Sequence, residues 1–223
     1  MSIFSIAIDG PSGAGKSTIA KAVAEELNAL YLDTGAMYRA VGLYMNRLGI
    51  LNDAEAVAAR VDEVPLDVRH IDGKQRVFLG DEDVSEAIRQ PEISMAASAV
   101  GAVPAVRTRL VDLQREIARK LSIIMDGRDI GTVVLPNATV KIFLTASPET
   151  RAQRRLDQLT EKGIHEPYEK VLAEIIQRDY QDTHRDITPL VQAEDAILVD
   201  TSDNTKEETI RHILDICAER IAQ

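Results

Sequence analysis

The sequence predicts an α/β fold in which a parallel sheet is flanked by helices. Strand-like and helix-like segments alternate along most of the chain, which is typical of such sheets. The first predicted strand, residues 3–9, is almost entirely apolar, as a strand covered on both faces should be. A hairpin signal at Asp72–Gly73 interrupts the alternation, so we also expect an inserted subdomain with a small hairpin or sheet.

The first half of the chain supplies the start of this pattern. We expect a helix over residues 16–27, a short strand over 30–32 and a second helix that starts near residue 34 and buries Met37 and Val41. Residues 65–69 and 75–79 are predicted as the two hairpin strands. Residues 92–102 are predicted as a short helix.

The second half returns to the parallel sheet. Pro104 opens a predicted helix whose buried stripe runs to Leu121. Strands are expected at 123–126, 140–144 and 196–200. Ser147 and Pro148 start a helix to about residue 159, and a further helix covers about 168–181. Thr205 and Glu208 have the spacing of a capping box for a last helix.

Composition narrows the class of protein. The 223 residues carry 26 Lys and Arg against 36 Asp and Glu, a formal net charge of −10, which disfavours generic nucleic-acid binding. The single cysteine, Cys217, excludes an internal disulfide framework and a four-thiolate zinc site, and its helical spacing with apolar neighbours predicts a core position. The sequence contains no apolar run long enough for a membrane span, and the N-terminus is expected to be a strand rather than a signal peptide.

A phosphate-binding motif follows the first predicted strand. The sequence GPSGAGKS matches G-x-x-x-x-G-K-[ST] and is followed by an amphipathic helix. Backbone N–H groups must approach phosphate oxygens closely there, and a helix N-terminus adds positive charge. The loop is predicted to bind ATP through Gly10, Pro11, Ser12, Gly13, Ala14, Gly15, Lys16, Ser17 and Thr18. The sequence lacks the N-K-x-D element with which switch GTPases read guanine.

Two further motifs follow predicted strands, at the edge where open α/β sheets bind ligands. The first is DTGAMYR, residues 33–39, and the second is DGRDIGT, residues 126–132. In the second, Asp126 is a candidate for orienting a Mg²⁺-bound water, Arg128 for clamping a phosphate and Asp129 for accepting a hydrogen bond from a base. An exposed Asp/Arg pair is the alternative interpretation of these residues.

Together, GPSGAGK, DTGAMYR and DGRDIGTVV resemble the bacterial cytidylate kinases, a family of P-loop nucleoside monophosphate kinases, over essentially the whole chain. The resemblance implies an inserted NMP-binding subdomain at 62–121, a core at 1–61 and 122–223, and a short lid at about 155–167. It implies that Thr34 and Arg39 contact the acceptor phosphate. The cytosine base would be read by Ser98, Arg107 and Asp129.

The resemblance assigns further cations and carboxylates near the C-terminal end. Arg178 and Asp182 would bind the ribose 2′-hydroxyl and Arg185 the phosphate; by spacing alone, the same residues could form an exposed ion-pair ladder. Arg151, Arg154 and Arg155 would be lid arginines over the ATP phosphates, with a solvated basic face as the alternative. Catalysis would then depend on Lys16, Arg39, Arg128, Arg151, Arg154, Arg155 and Arg185.

The implied reaction is phosphoryl transfer from ATP to CMP, and to dCMP as well. Mg²⁺ is the expected cofactor, ligated by Ser17 and oriented through water by Asp126 or Asp33. The expected partners are ATP and CMP or dCMP, with no nucleic acid and no membrane, in a cytoplasmic monomer. The alternatives are another kinase of the same scaffold (UMP/CMP, adenylate or shikimate kinase) and a nucleotide-responsive binding module without phosphoryl transfer.

Overall fold

The computed structural model describes residues 3–161 and 163–222. The chain divides into two units. The core unit holds the chain up to Tyr31 and from Leu121 onward, and the insertion unit is Leu32–Lys120. The insertion unit thus includes the segment that carries Arg39.

The described residues form strands and helices whose bounds follow chain order. The strands are β1 (Ser5–Asp9), β2 (Leu30–Asp33), β3 (Leu66–Ile71), β4 (Lys74–Leu79), β5 (Glu82–Asp83), β6 (Ile123–Gly127), β7 (Val140–Thr145) and β8 (Ile197–Asp200). The α-helices are α1 (Lys16–Glu26), α2 (Thr34–Arg47), α3 (Ala54–Arg60), α4 (Pro91–Gly101), α5 (Pro104–Ala118), α6 (Pro148–Glu161), α7 (Tyr168–His184) and α8 (Lys206–Ile221). Residues Val61–Glu63 and Ala87–Arg89 form 3-10 turns, and Ile130–Val134 form a π-helical turn.

The larger sheet has the strand order β2-β6-β1-β7-β8. The pairs β1–β6, β1–β7 and β7–β8 are parallel. In the β1–β6 ladder Asp9 lies opposite Gly127, so the two strands end at the same level. This register places the phosphate loop, which follows β1, beside the DGRD segment that ends β6. The predicted α/β class with a parallel sheet is confirmed.

The core of this unit is apolar and is shared by the central strands and two helices. Ile6 and Ile8 of β1 pack with Val23 of α1 and with Ile213 and Cys217 of α8. Cys217 is fully buried, as its spacing predicts. Burial raises the pKa of its thiol to about 11, so it is a core residue rather than a nucleophile. A second cluster joins α6 to α7.

The insertion unit contains the predicted hairpin. Strands β3, β4 and β5 form an antiparallel sheet, and Asp72 and Gly73 both have positive φ, as a tight hairpin turn requires. The helices α2, α3, α4 and α5 complete the unit. None of the helices formed by the described residues, in either unit, is both long enough and apolar enough to cross a bilayer.

Some elements differ from the expectation. Strand β1 starts at Ser5, and Ile3 is 62% exposed rather than buried. Helix α5 ends at Ala118, so Leu121 lies beyond it and is 54% exposed. Helix α3 and strand β5 were not predicted. Both are short, and an element of seven or two residues shows too few repeats for its period to stand out.

Candidate active site

The phosphate loop connects β1 to α1 in the core unit. Gly13 and Gly15 have φ of 79° and 89°, a left-handed conformation that residues with a Cβ rarely adopt. Helix α1 begins at Lys16, and no side chain caps its N-terminus. The motif therefore forms the strand–loop–helix arrangement that exposes an anion-binding helix end.

Lys16 is a buried amine in this loop. Its Nζ donates to the carbonyl oxygen of Pro11 at 2.7 Å, and the residue is 6% exposed. Burial, together with the nearby charge of Arg128, lowers the pKa of Lys16 to about 7, although Asp126, Asp182 and Asp9 act in the opposite direction. The next residue, Ser17, hydrogen-bonds to Asp126, which places this part of the loop beside the end of β6.

Asp126, at the end of β6, is held by two hydroxyl groups. Ser17 Oγ donates to Asp126 Oδ2 at 2.8 Å, and the Tyr31 hydroxyl donates to Oδ1 at 2.7 Å. Mg²⁺ prefers hard oxygen ligands, and a hydroxyl and a carboxylate both supply them. The donor set therefore fits Mg²⁺ and favours Asp126 over Asp33 as its carboxylate partner. Tyr31 was not singled out from the sequence.

Asp9, the last residue of β1, is a buried carboxylate that sequence reasoning missed. Its two oxygens accept hydrogen bonds from the backbone N–H groups of Ile130 at 2.8 Å and Gly131 at 2.7 Å. Burial raises the pKa of Asp9 to about 6, against the lowering effect of these two N–H groups. Asp9 therefore anchors the π-helical turn that follows Arg128 and Asp129. In the sequence, the role of Asp9 was indicated only by its position as a carboxylate at the end of an apolar strand.

Arg128 lies in a cluster of arginines around one carboxylate. Its Nε donates to Asp182 Oδ2 at 2.7 Å. Burial acts to raise the pKa of Asp182, but the charges of Arg128, Arg178 and Arg185 outweigh it and hold that pKa below its ordinary value. The cluster thus keeps net positive charge around an ionised Asp182, which suits a phosphate.

Arg178 and Asp182 lie on α7, but Arg185 does not. The helix ends at His184, and Arg185 has extended backbone angles. Its Nε donates to the carbonyl oxygen of Thr188 at 2.6 Å. Arg185 therefore reaches the cluster from the loop after α7 and not from the helix itself.

The three predicted lid arginines have different environments. Arg151 is buried and binds Asp179 and two backbone carbonyls. Arg154 donates to Thr201, at 3.0 Å to its hydroxyl and 2.6 Å to its carbonyl oxygen. Arg155 is exposed. Residues 155–161 of the predicted lid continue α6, residues 163–167 form a non-helical connection to α7, and residue 162 lies outside the described residues.

In the insertion unit, Arg39 is fixed at the start of α2. Its Nη2 pairs with Asp33 Oδ2 at 2.9 Å, and Asp33 Oδ1 caps the helix by accepting from the N–H of Ala36. The Arg39 Nε is buried and has no hydrogen-bond partner among the described residues. The side-chain amide of Gln75 bonds to both backbone groups of Asp33, at 2.7 and 3.1 Å. Arg39 therefore retains an unused donor on a well-supported helix end.

The remaining predicted acceptor residues also lie in the insertion unit. Thr34 is buried at the first turn of α2. Ser98 is exposed on α4 and bonds to the carbonyl oxygen of Ser94. Arg107 of α5 is 5% exposed, donates to the carbonyl oxygen of Gly101 at 3.3 Å and lies over the Tyr38 ring. In the core unit, Asp129 is 5% exposed beside the turn that Asp9 anchors.

Solved structures resemble this fold at low sequence identity. A shikimate kinase from Bacteroides thetaiotaomicron has a TM-score of 0.51 and 14% identity, with 97% of this chain and 99% of that chain covered. An uncharacterized protein from Eubacterium ventriosum has a TM-score of 0.53 and 16% identity, covering 98% and 100% of the two chains. At this level of identity the likeness concerns the fold.

Sequence relatives are much closer. A protein from Mycobacterium leprae named cytidylate kinase is 52% identical over 216 residues, which are 96% of each chain. Proteins with the same name from Ligilactobacillus salivarius and Caldicellulosiruptor bescii are 50% and 48% identical, covering 96% and 97% of this chain and 96% of each relative. A model of the cytidylate kinase family matches residues 6–219, which contain all three sequence motifs. The match therefore spans nearly the whole chain and includes the GPSGAGKS, DTGAMYR and DGRD segments. The chain belongs to the cytidylate kinase family.

Proposed function

We propose that this protein transfers the γ-phosphoryl group of ATP to CMP, giving ADP and CDP. The observation that carries the proposal is the proximity, within the core unit, of the phosphate-loop lysine and the arginine cluster after β6. Ser17, the neighbour of Lys16, bonds to Asp126 at the end of β6, and Arg128, two residues further on, pairs with Asp182. Cations for two phosphate groups therefore lie side by side, as transfer between two nucleotides needs.

The donor nucleotide is proposed to bind the loop formed by residues 10–18. Phosphate oxygens would replace the Pro11 carbonyl as the acceptor for Lys16 Nζ, since an anion is a stronger acceptor for an ammonium group. Mg²⁺ would be held by Ser17, with Asp126 acting through bound water. When bound, Mg²⁺ neutralises charge on the phosphate oxygens. Arg154 and Arg155 remain the predicted lid cations for the same phosphates.

The acceptor phosphate is proposed to bind Arg128 and Arg185 in the core unit. Asp182, kept ionised by its arginine neighbours, suits a ribose hydroxyl together with Arg178. In the insertion unit, Thr34 and the unused Nε of Arg39 are proposed phosphate donors.

The base-reading residues remain those that the resemblance implies. Cytosine offers an amino donor and two acceptors, which a carboxylate, a hydroxyl and a guanidinium can match. Asp129, Ser98 and Arg107 supply these three groups. Acceptance of dCMP is part of the same proposal, with Arg178 and Asp182 as the residues that would sense the missing hydroxyl.

The reaction needs positive charge rather than a general base. The attacking group is an oxygen of the CMP phosphate, which is mostly dianionic at pH 7 because its second pKa is near 6. This oxygen bonds to the γ-phosphorus while the bond from that phosphorus to the β–γ bridging oxygen breaks and ADP leaves. The obstacle is repulsion between two polyanions, and Lys16 with the arginines opposes it.

We further propose a cytoplasmic monomer whose partners are nucleotides and not nucleic acids. The net charge of −10 disfavours polyanionic partners in general. Cys217 is buried and, as the single cysteine, forms no internal disulfide, which suits a reducing compartment. Size-exclusion chromatography with light scattering tests the oligomeric state.

The activity is tested by measuring ADP release with CMP, dCMP, UMP, AMP and no acceptor. We expect CMP to give the highest kcat/KM and dCMP to be turned over. Hydrolysis of ATP without an acceptor is expected to be far slower than transfer. Preference for UMP or AMP would assign a different acceptor, and nucleotide binding without turnover of any acceptor would identify a binding module instead.

A further inference from the structure

Arg151, on the first turn of α6, is a buried cation that contacts the phosphate loop from within the core unit. Its side chain is 3% exposed. Nε donates to the carbonyl oxygen of Ala146 at 2.8 Å, and Nη1 donates to the carbonyl oxygen of Ser12 at 3.1 Å. The guanidinium thus donates to protein carbonyl groups near the start of α6. The N–H groups of an exposed lid arginine would instead point into solvent.

Asp179, on α7, completes the set of acceptors. Its Oδ1 accepts from Arg151 Nη1 at 2.9 Å and its Oδ2 from Nη2 at 2.6 Å. Two parallel charge-assisted bonds fix both the position and the plane of a guanidinium. Because this pair is largely removed from water, losing one partner leaves an uncompensated charge near the loop.

The loop backbone rests directly on Arg151. A Cβ built on Gly13 would lie 3.2 Å from the Arg151 Cβ, so there is little free space between them. In a trans peptide the carbonyl and the N–H point in opposite directions. The bond from Arg151 to the Ser12 carbonyl therefore turns the N–H of Gly13 away from Arg151, toward the opposite side of the loop.

The same helix that holds Arg151 also holds the acceptor cluster. Asp179 and Asp182 are three residues apart on α7, which makes them neighbours on one helix surface. Asp179 binds Arg151, while Asp182 binds Arg128. One rigid element thus supports both the phosphate loop and the cation after β6.

We propose that Arg151 is a positioning residue for ATP: held by Asp179, it fixes the Ser12–Gly13 peptide so that the Gly13 N–H faces the donor phosphates. This role differs from the predicted one of a lid arginine that contacts those phosphates. The inference rests on the proposed function, because it presumes that the loop binds ATP. It concerns the donor nucleotide alone.

The test compares two conservative variants with a matched pair outside the site. Arg151→Lys keeps the charge but cannot make the two-pronged contact, and Asp179→Asn keeps one acceptor but loses the charge. Arg47 and Glu82 form a similarly two-pronged pair that is exposed in the insertion unit, so Arg47→Lys and Glu82→Gln are the controls. Calorimetric titrations measure ADP binding with Mg²⁺ and, separately, CMP binding.

We expect Arg151→Lys and Asp179→Asn each to weaken ADP binding about tenfold or more and to change CMP binding less than twofold. In turnover, KM for ATP should rise more than kcat falls. The control variants should bind ADP within twofold of the unmodified protein. If Arg151→Lys does not fold, Asp179→Asn decides, since it keeps one of the two acceptors and leaves Arg151 itself unchanged.

Unchanged ADP affinity together with a lowered melting temperature would show that the pair only stabilises the fold, and would overturn the proposal. Equal weakening of ADP and CMP would overturn it too, since that pattern indicates general disruption. The two proposals fail separately. If the unmodified protein binds ADP but never phosphorylates CMP, the proposed function fails and the role of Arg151 in ADP binding can still be measured.

Discussion

The Oδ2 atom of Asp9 accepts a hydrogen bond from the backbone N–H of Gly131 at 2.7 Å, across 122 positions of sequence. Oδ1 binds the neighbouring N–H of Ile130. A side chain that ends one strand thereby shapes the turn that follows the next strand in the sheet. Arg128 and Asp129 lead into that turn, so their placement depends on this buried carboxylate.

Asp9 should give the protein a distinctive dependence of stability on pH. Its pKa in the folded protein is about 6, above the value of 3.8 expected when unfolded. Between these values the folded state holds more protons, so this contribution to the free energy of unfolding falls as pH rises from about 4 to 6. Urea unfolding from pH 4.5 to 7 should show the unmodified protein losing stability relative to Asp9→Asn. A constant difference across that range would contradict the assignment.

Nucleotide binding should draw a proton onto Lys16. With a pKa of about 7 in the free protein, Lys16 is mostly neutral at pH 8, and a bound phosphate favours its charged form. Calorimetry of ADP binding at pH 8, in buffers of different ionisation enthalpy, should reveal uptake of roughly one proton. Lys16→Arg remains protonated and should show none. Equal binding enthalpies in all buffers for the unmodified protein would refute this.

Arg128→Ala should weaken use of the acceptor. Removing one partner of a buried charge-assisted pair costs about 2–5 kcal/mol. We expect a loss of this order in transition-state stabilisation, measured as a fall in kcat/KM for CMP. KM for ATP should change little. Arg60→Ala, which removes an exposed arginine paired with Glu63, serves as the control and should leave both constants unchanged. A loss confined to ATP would assign Arg128 to the donor instead.

Asp129→Asn and Asp129→Ala should relax base selection. A carboxylate accepts from the amino group of cytosine but repels the carbonyl oxygen that uracil has in its place. We expect the ratio of kcat/KM for UMP to that for CMP to rise at least tenfold, about 1.4 kcal/mol. Parallel assays with both acceptors measure it. An unchanged ratio would remove Asp129 from the base-reading set.

Gln75→Ala should affect the acceptor through the start of α2. Its amide bonds to the N–H and the carbonyl of Asp33, the residue that caps α2 and pairs with Arg39. Loss of two such bonds should lower the free energy of unfolding by about 1–3 kcal/mol. KM for CMP should rise several-fold while KM for ATP stays constant. Equal changes in both KM values would argue against this support role.

Local patterns were sufficient for several elements of this protein. The Asp72–Gly73 turn and the Thr205–Glu208 capping box occur as predicted, because each depends on residues within four positions of one another. The phosphate loop is equally local: strand, glycines, lysine and helix follow without interruption. Apolar spacing likewise placed Cys217 in the core.

What the tertiary structure alone decided is which charged side chains are partners. Arg151 and Arg155 both lie in one basic stretch of sequence, yet Arg151 is buried because Asp179, 28 positions away, and the Ser12 carbonyl surround it. Asp9 and Tyr31 gained their roles in the same way, from residues distant in the chain. By itself the sequence determined the fold class, the phosphate loop and the family. It could not determine these pairings. The partner of a charged side chain depends on which atoms the fold brings next to it, and these atoms are distant in the sequence.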